Sequence, residues 1–229
     1  MEDREVALAS LAARVVACRK CPRLVAWRER VAREKRAAYR DEVYWARPVP
    51  GFGDPQARLL VVGLAPAAHG GNRTGRPFTG DGPRGAGDFL AAALHRARIA
   101  NQPTSERRGD GLQLRGAYLT ALVRCAPPGN RPEAEEVQNC LPYLVEELRT
   151  LADVRAVLAL GRVAFSGCWE ALKGLGAEGP RPPFAHGAAY AVGPGLPRLV
   201  AAYHPSRQNT QTGRLTPAML DAALARALV

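Results

Sequence analysis

Four short apolar runs punctuate the chain: Arg58 to Gly63 with Leu59-Leu60-Val61-Val62 at its centre, AYLTALVRC from Ala117 to Cys125, VRAVLAL from Val154 to Leu160, and Arg198 to Tyr203. Unbroken apolarity over so few residues is the signature of strands buried on both faces, as in parallel sheets. Between them the apolar positions recur at helical spacing. Val6, Leu8, Leu11, Val15 and Val16 mark Glu5 to Cys18, and Leu24, Trp27 and Val31 mark Leu24 to Ala38. Phe89, Leu90, Ala93, Leu94 and Ala97 follow Asp88, which stands where an N-cap would. Leu141, Leu144, Val145, Leu148 and Leu151 mark Glu133 to Ala152, where Pro142 either kinks the helix or marks its start. A short helix follows near Arg162 to Leu172, and Thr216 caps a last one with Pro217 in its first turn and Leu220, Leu224 and Leu228 on one face. Strands alternating with helices predict a parallel α/β/α sandwich. Tyr39 to Pro55 reads as an ordered loop, Asn101 to Gln113 as a polar surface loop, and Gly174 to Pro183 as a flexible connection.

Three strands run into loops rich in glycine, proline and polar side chains. The first enters GLAPAAHGGNRTGRPFTGD, Gly63 to Asp81, which concentrates His69, Asn72, Arg73, Arg76, Phe78 and Asp81. Ligands in open α/β sheets bind beyond the carboxyl ends of the strands, and glycines there let backbone N–H groups approach a phosphate or base. The second strand enters APPGNRP with Asn130, and the last delivers His204-Pro205-Ser206-Arg207-Gln208-Asn209.

Composition narrows the partner. The formal net charge of +11 over 229 residues makes a polyanion the expected ligand, nucleic acid first, and all but three of the cations are arginines, which suit phosphate and planar groups. Length is sufficient for one well-cored domain. No run approaches the roughly 20 apolar residues of a membrane span and no signal-peptide pattern opens the chain, so a soluble cytoplasmic protein with no membrane partner is expected. The basic helix Leu24 to Ala38, with Arg28, Arg30, Arg33, Lys35 and Arg36 off its apolar face, faces either DNA or water. Cys168 reads as core. Cys18, Cys21, Cys125 and Cys140 form a possible four-ligand set, and spacing alone leaves tetrahedral zinc and a cubane iron-sulfur cluster open.

Together these residues resemble the uracil-DNA glycosylase superfamily, specifically its b-type, or fifth, family of iron-sulfur enzymes. GLAPAAHGGNRTGRPFTGD matches the first motif, HPSRQNTQTGRL from His204 to Leu215 the second, and the four cysteines the cluster ligands. The resemblance spans nearly the whole chain. It implies a four-stranded parallel sheet between helices, a [4Fe-4S] cluster on Cys18, Cys21, Cys125 and Cys140, and excision of uracil and other deaminated bases from double-stranded DNA by a monomer.

Base excision needs a flipped base held in a pocket, a donor for the charge developing on the leaving base, and an anion or oriented water for the sugar. Phe78, from the superfamily's PF pair, is expected against the base face. The backbone of Ala67, Ala68 and His69 is expected to add donors, and Asn130, whose amide both donates and accepts, to read the base edge. His204 suits the leaving base. Leu64 and Ala65 stand where many relatives carry a polar residue, so the resemblance moves the catalytic carboxylate to Asp81; a turn role is the alternative. Thr120 replaces an asparagine of a-type relatives, which opens the pocket to hypoxanthine and xanthine. Arg73 and Arg76 are expected on phosphates, and Arg207, Gln208 and Asn209 in the gap the flipped nucleotide leaves. Lys20, Lys35 and Lys173 fall outside both motifs, which predicts no Schiff-base lyase step. The competing class is a non-catalytic nucleic-acid-binding module with a structural zinc or cluster.

Overall fold

A computed structural model describes residues 2–82 and 85–229. Its helices are α1 (Glu2–Ala17), α2 (Pro22–Glu34), α3 (Gly71–Thr74), α4 (Ala86–Arg96), α5 (Ala134–Thr150), α6 (Arg162–Lys173), α7 (Arg207–Gln211) and α8 (Pro217–Leu228). The strands β1 (Phe52–Gly53), β2 (Leu59–Gly63), β3 (Ala117–Ala121), β4 (Ala156–Leu160), β5 (Ala189–Tyr190) and β6 (Arg198–Ala202) form one sheet in the order β1-β3-β2-β4-β6-β5. The parallel centre β3-β2-β4-β6 is the expected four-stranded sheet. Each edge carries a two-residue antiparallel strand that the sequence reading left out, β1 against β3 and β5 against β6. Runs this short carry no legible alternation.

Strand residues alternate between two cores, as a period of two requires. Leu60, Val62, Val157, Ala159, Leu199 and Ala201 pack with Leu8 of α1 and with α5 and α6. Leu59, Val61, Leu158, Leu160, Val200 and Ala202 pack against α4 and α8. Cys168 lies in the first core, as expected. Helix α4 follows β2 on one face and α6 follows β4 on the other, so a crevice opens beyond the carboxyl ends of these neighbouring strands.

Several boundaries differ from the sequence reading for identifiable reasons. Asp88 is inside the first turn of α4 rather than its cap, and accepts the Ser105 N–H at 3.1 Å. Pro142 lies inside a continuous α5, whose start is fixed by a capping box between Glu133 and Glu136. The segment Asn101 to Gln113 is more than a surface loop, since Ser105 is buried and Asp110 pairs with buried Arg76. No helix among the described residues is long and apolar enough to cross a membrane.

Candidate active site

A cavity of about 470 Å³ occupies the crevice, lined by the Gly63–Gly71 loop, Pro77, Phe78, Gly80, Asp81, Ala121, Asn130, His204, Ser206 and Arg207. Of the site residues expected from sequence, it brings together Ala67, Ala68, His69, Phe78, Asp81, Asn130, His204 and Arg207. Arg36, from the end of the segment read as a basic helix, and Tyr39, from the segment read as an ordered loop, also line it. A second depression of about 530 Å³, lined by His95, Arg98 and Arg115, lies at the amino ends of β2 and β3, away from both motifs.

Glycines set the walls. A Cβ on Gly63 would lie 2.5 Å from the Phe78 ring, so only glycine at the end of β2 lets that ring reach the cavity floor. Phe78 itself has φ +49, an uncommon conformation for a side chain of its size, and its carbonyl lies where a Cβ on Gly87 would collide. A Cβ on Gly70 would lie 1.8 Å from Asp81 Oδ1, which places the carboxylate directly on the loop that carries Ala67 to His69. Among the described residues, the amides of Ala68 and His69 make no hydrogen bond within the protein.

The two candidate catalytic groups have opposite electrostatics. Burial pushes the Asp81 carboxyl up to about 6 against the Gly87 amide and the Arg207 guanidinium, which favour its anion. Burial also pushes the His204 imidazole down to about 4. Near neutral pH the cavity therefore holds a carboxylate and an uncharged imidazole on different loops. Asn209 donates to the His204 carbonyl at 2.8 Å, and its own amide is capped by Ser206. It holds the histidine's loop, which corrects the expectation that it enters the DNA.

Arg73 and Arg76 do not reach out to phosphate. Arg73 is buried; it donates to the His69 and Gly80 carbonyls at 2.9 and 2.8 Å, pairs with Glu42, and lies 4.0 Å from the Tyr39 ring centroid. It ties the start of the motif loop to its end. Arg76 is buried against Asp110, with Nη1 and Nη2 donating at 2.8 and 2.6 Å and Nε reaching Thr79 at 2.8 Å. Sequence marks an arginine as cationic but not as already paired. Arg207 and Gln208 are exposed, and Arg207 lines the cavity and donates to the Asp81 carbonyl at 2.9 Å. Asn130 is exposed on the rim in a left-handed conformation, φ +57. Thr120 is absent from the lining; it is fully buried and hydrogen-bonds to Glu147 and Arg124, whose ion pair at 2.6 Å ties β3 to α5.

The four expected cysteine ligands line one small pocket together with Arg28 and Arg124. Among the described residues no three His, Cys, Asp or Glu side chains form a group compact enough for a single metal ion. The surroundings suit an anionic group wider than one ion. Arg28, expected off the apolar face of its helix toward DNA or water, is turned inward and donates to Cys125 Sγ at 2.9 Å, and Asn139 lies 3.6 Å from Cys21 Sγ. The buried Nε groups of Arg28 and Arg124 have no protein acceptor among the described residues, so the pocket offers donors to an anionic group.

Residues 50–228, which contain both motif loops and most of the cavity lining, match the family model of the uracil DNA glycosylase superfamily. The chain is 54% identical over 217 residues to the type-5 uracil-DNA glycosylase of Thermus thermophilus, covering 95% of this chain and 93% of that protein. It is 53% identical to the type-5 uracil-DNA glycosylase of Mycobacterium tuberculosis, covering 93% and 78%. The type-5 uracil-DNA glycosylase of Pyrobaculum aerophilum is 49% identical, with 93% and 89% covered. With fold, motif loops and near full-length likeness in agreement, the chain belongs to the uracil DNA glycosylase superfamily.

Proposed function

We propose that this protein is a monofunctional DNA glycosylase that flips uracil, and other deaminated bases such as hypoxanthine and xanthine, out of double-stranded DNA and hydrolyses the N-glycosidic bond. The observation that carries this reading is the convergence of Asp81 and His204 on one cavity with oppositely displaced proton affinities. As the bond between C1′ and the base nitrogen breaks, its electron pair goes to the base and positive charge grows on the sugar. Asp81, as carboxylate, stabilises that charge and takes a proton from the water that adds to C1′. His204, uncharged, donates a hydrogen bond to the oxygen of the departing base, whose proton comes from solvent. Phe78 stacks on the base, the free amides of Ala68 and His69 add donors, and Arg207 and Gln208 meet the DNA at the mouth.

The wider base range is supported by the cavity itself. Asn130 is the one side-chain amide in its lining among the described residues, and it stands on the exposed rim rather than in the floor. A purine with a carbonyl at the position amination once occupied fits such a site. No lysine lines the cavity among the described residues, which supports hydrolysis without a Schiff base.

A [4Fe-4S] cluster held by Cys18, Cys21, Cys125 and Cys140 completes the proposal. Bound there, it supplies a covalent cross-link between the start of α2, the loop after β3, and α5. Zinc is the second reading, disfavoured because no three of the His, Cys, Asp or Glu side chains among the described residues form a group that could hold a single ion.

Incubating the protein with a uracil-containing duplex and then with alkali tests the activity. Strand breaks confined to the uracil position after alkali are expected. Intact DNA leaves only a binding module. Parallel duplexes with hypoxanthine or xanthine test the range, and borohydride trapping is expected to give no covalent adduct.

A further inference from the structure

The cavity contains a second histidine whose orientation is set from outside it. His69 Nδ1 lies 2.9 Å from the hydroxyl of Tyr44, a buried residue of the segment between α2 and β1, with the rings edge to face at a centroid distance of 6.0 Å. The His69 backbone is pinned independently, because its carbonyl accepts from Arg73 Nε. A phenol has one proton to give, and the direction of this bond decides what the other ring nitrogen is. The only partner found for the hydroxyl proton among the described residues is Nδ1. The imidazole then carries its own proton on Nε2. Burial and the Arg36 and Arg73 cations keep the ring uncharged.

We infer that Tyr44 is a positioning residue that fixes His69 as its Nε2–H tautomer, so that His69 presents a neutral donor to the base and reads the carbonyl that deamination creates. This rests on the glycosylase reading above and names how that site selects its substrate class. Deamination of cytosine, adenine or guanine replaces an exocyclic amino group, a donor, with a carbonyl, an acceptor. A fixed donor pairs with the carbonyl and meets the amino group donor to donor, leaving both unpaired in a desolvated cavity. One device thus accepts uracil and hypoxanthine and refuses cytosine and adenine, the normal bases from which they arise. The other tautomer would invert this preference, which gives the Tyr44 hydroxyl its purpose.

A double-mutant cycle tests it on the whole protein, with single-turnover excision of uracil from a duplex as the readout. Tyr44→Phe keeps the ring and its packing but frees the tautomer, and is expected to slow excision about 10-fold. His69→Gln places an amide donor near the Nε2 position without needing Tyr44. In that background Tyr44→Phe is expected to have no further effect. A tyrosine that only supports the loop costs the same in both backgrounds, which would overturn the proposal. Nitrogen-15 shifts of the His69 ring supply an independent reading: Nε2 protonated in the parent and a mixture in Tyr44→Phe. A parent already protonated on Nδ1 also overturns it. If the parent protein excises no uracil at all, the glycosylase reading fails first, and the ring shifts still decide whether Tyr44 sets the tautomer.

Discussion

Asp81 costs the fold what it contributes to the chemistry. Its folded-state proton affinity is higher than in the unfolded chain, because burial raises the carboxyl from 3.8 to about 6. The native state therefore binds more protons between these values, and stability falls as pH rises through them. Asp81→Asn is expected to stabilise the protein by about 1–3 kcal/mol at pH 8 and by nothing at pH 3, where both states carry a neutral group. Urea midpoints at the two pH values check this. His204 has the opposite sign of shift, with its folded affinity near 4 below the ordinary 6.5. It favours the fold above pH 6.5 and withdraws that support as acid protonates the unfolded chain, so His204→Ala is expected to flatten the acid limb of the stability profile while slowing excision on the order of 100-fold.

The elements that carry the site were more legible than the contacts within them. Three of the four parallel strands announced themselves as short apolar runs ending in glycine, proline and polar residues, and these loops do line the cavity. What the sequence concealed was partnership across the chain. Arg73 and Arg76 look like phosphate ligands in a basic motif, yet Glu42 and Asp110, 31 and 34 residues away, have claimed them. Arg28 shares a helix face with solvated arginines by spacing, but a buried thiol draws it inward. Tyr44 had no local pattern to reveal it. The consequence is a clean separation of behaviours among the arginines. Arg76→Met is expected to cost about 3–5 kcal/mol of stability by leaving Asp110 buried and unpaired, with the salt dependence of DNA binding unchanged. Arg207→Ala is expected to leave the thermal midpoint within a degree or two and to weaken DNA binding, reducing the slope of log affinity against log salt by about 1. Denaturant titration and fluorescence anisotropy across a salt series distinguish the two.

At the scale of the whole molecule, two separate arrangements hang on the carboxyl side of one sheet: a cavity between β2 and β4, and a cysteine pocket joining the N-terminal helices to β3 and α5. Among the described residues, none that lines the cysteine pocket also lines the cavity, so the cluster's expected role is structural. Purified protein is expected to contain about four irons with matching acid-labile sulfide, and Cys21→Ser to lose iron and thermal stability together; stoichiometric zinc without iron after anaerobic purification would contradict the assignment. The claim on which the account stands is that the Asp81 carboxylate, as anion, carries the chemistry of that cavity. Its most direct test is the single-turnover rate of uracil excision at saturating enzyme, measured from pH 4.5 to 8 for the parent and for Asp81→Asn. The parent rate is expected to climb through an acid limb near pH 6, and the Asp81→Asn rate to be on the order of 100-fold lower above it, with no such limb. Excision by Asp81→Asn at the parent rate across that range would contradict it.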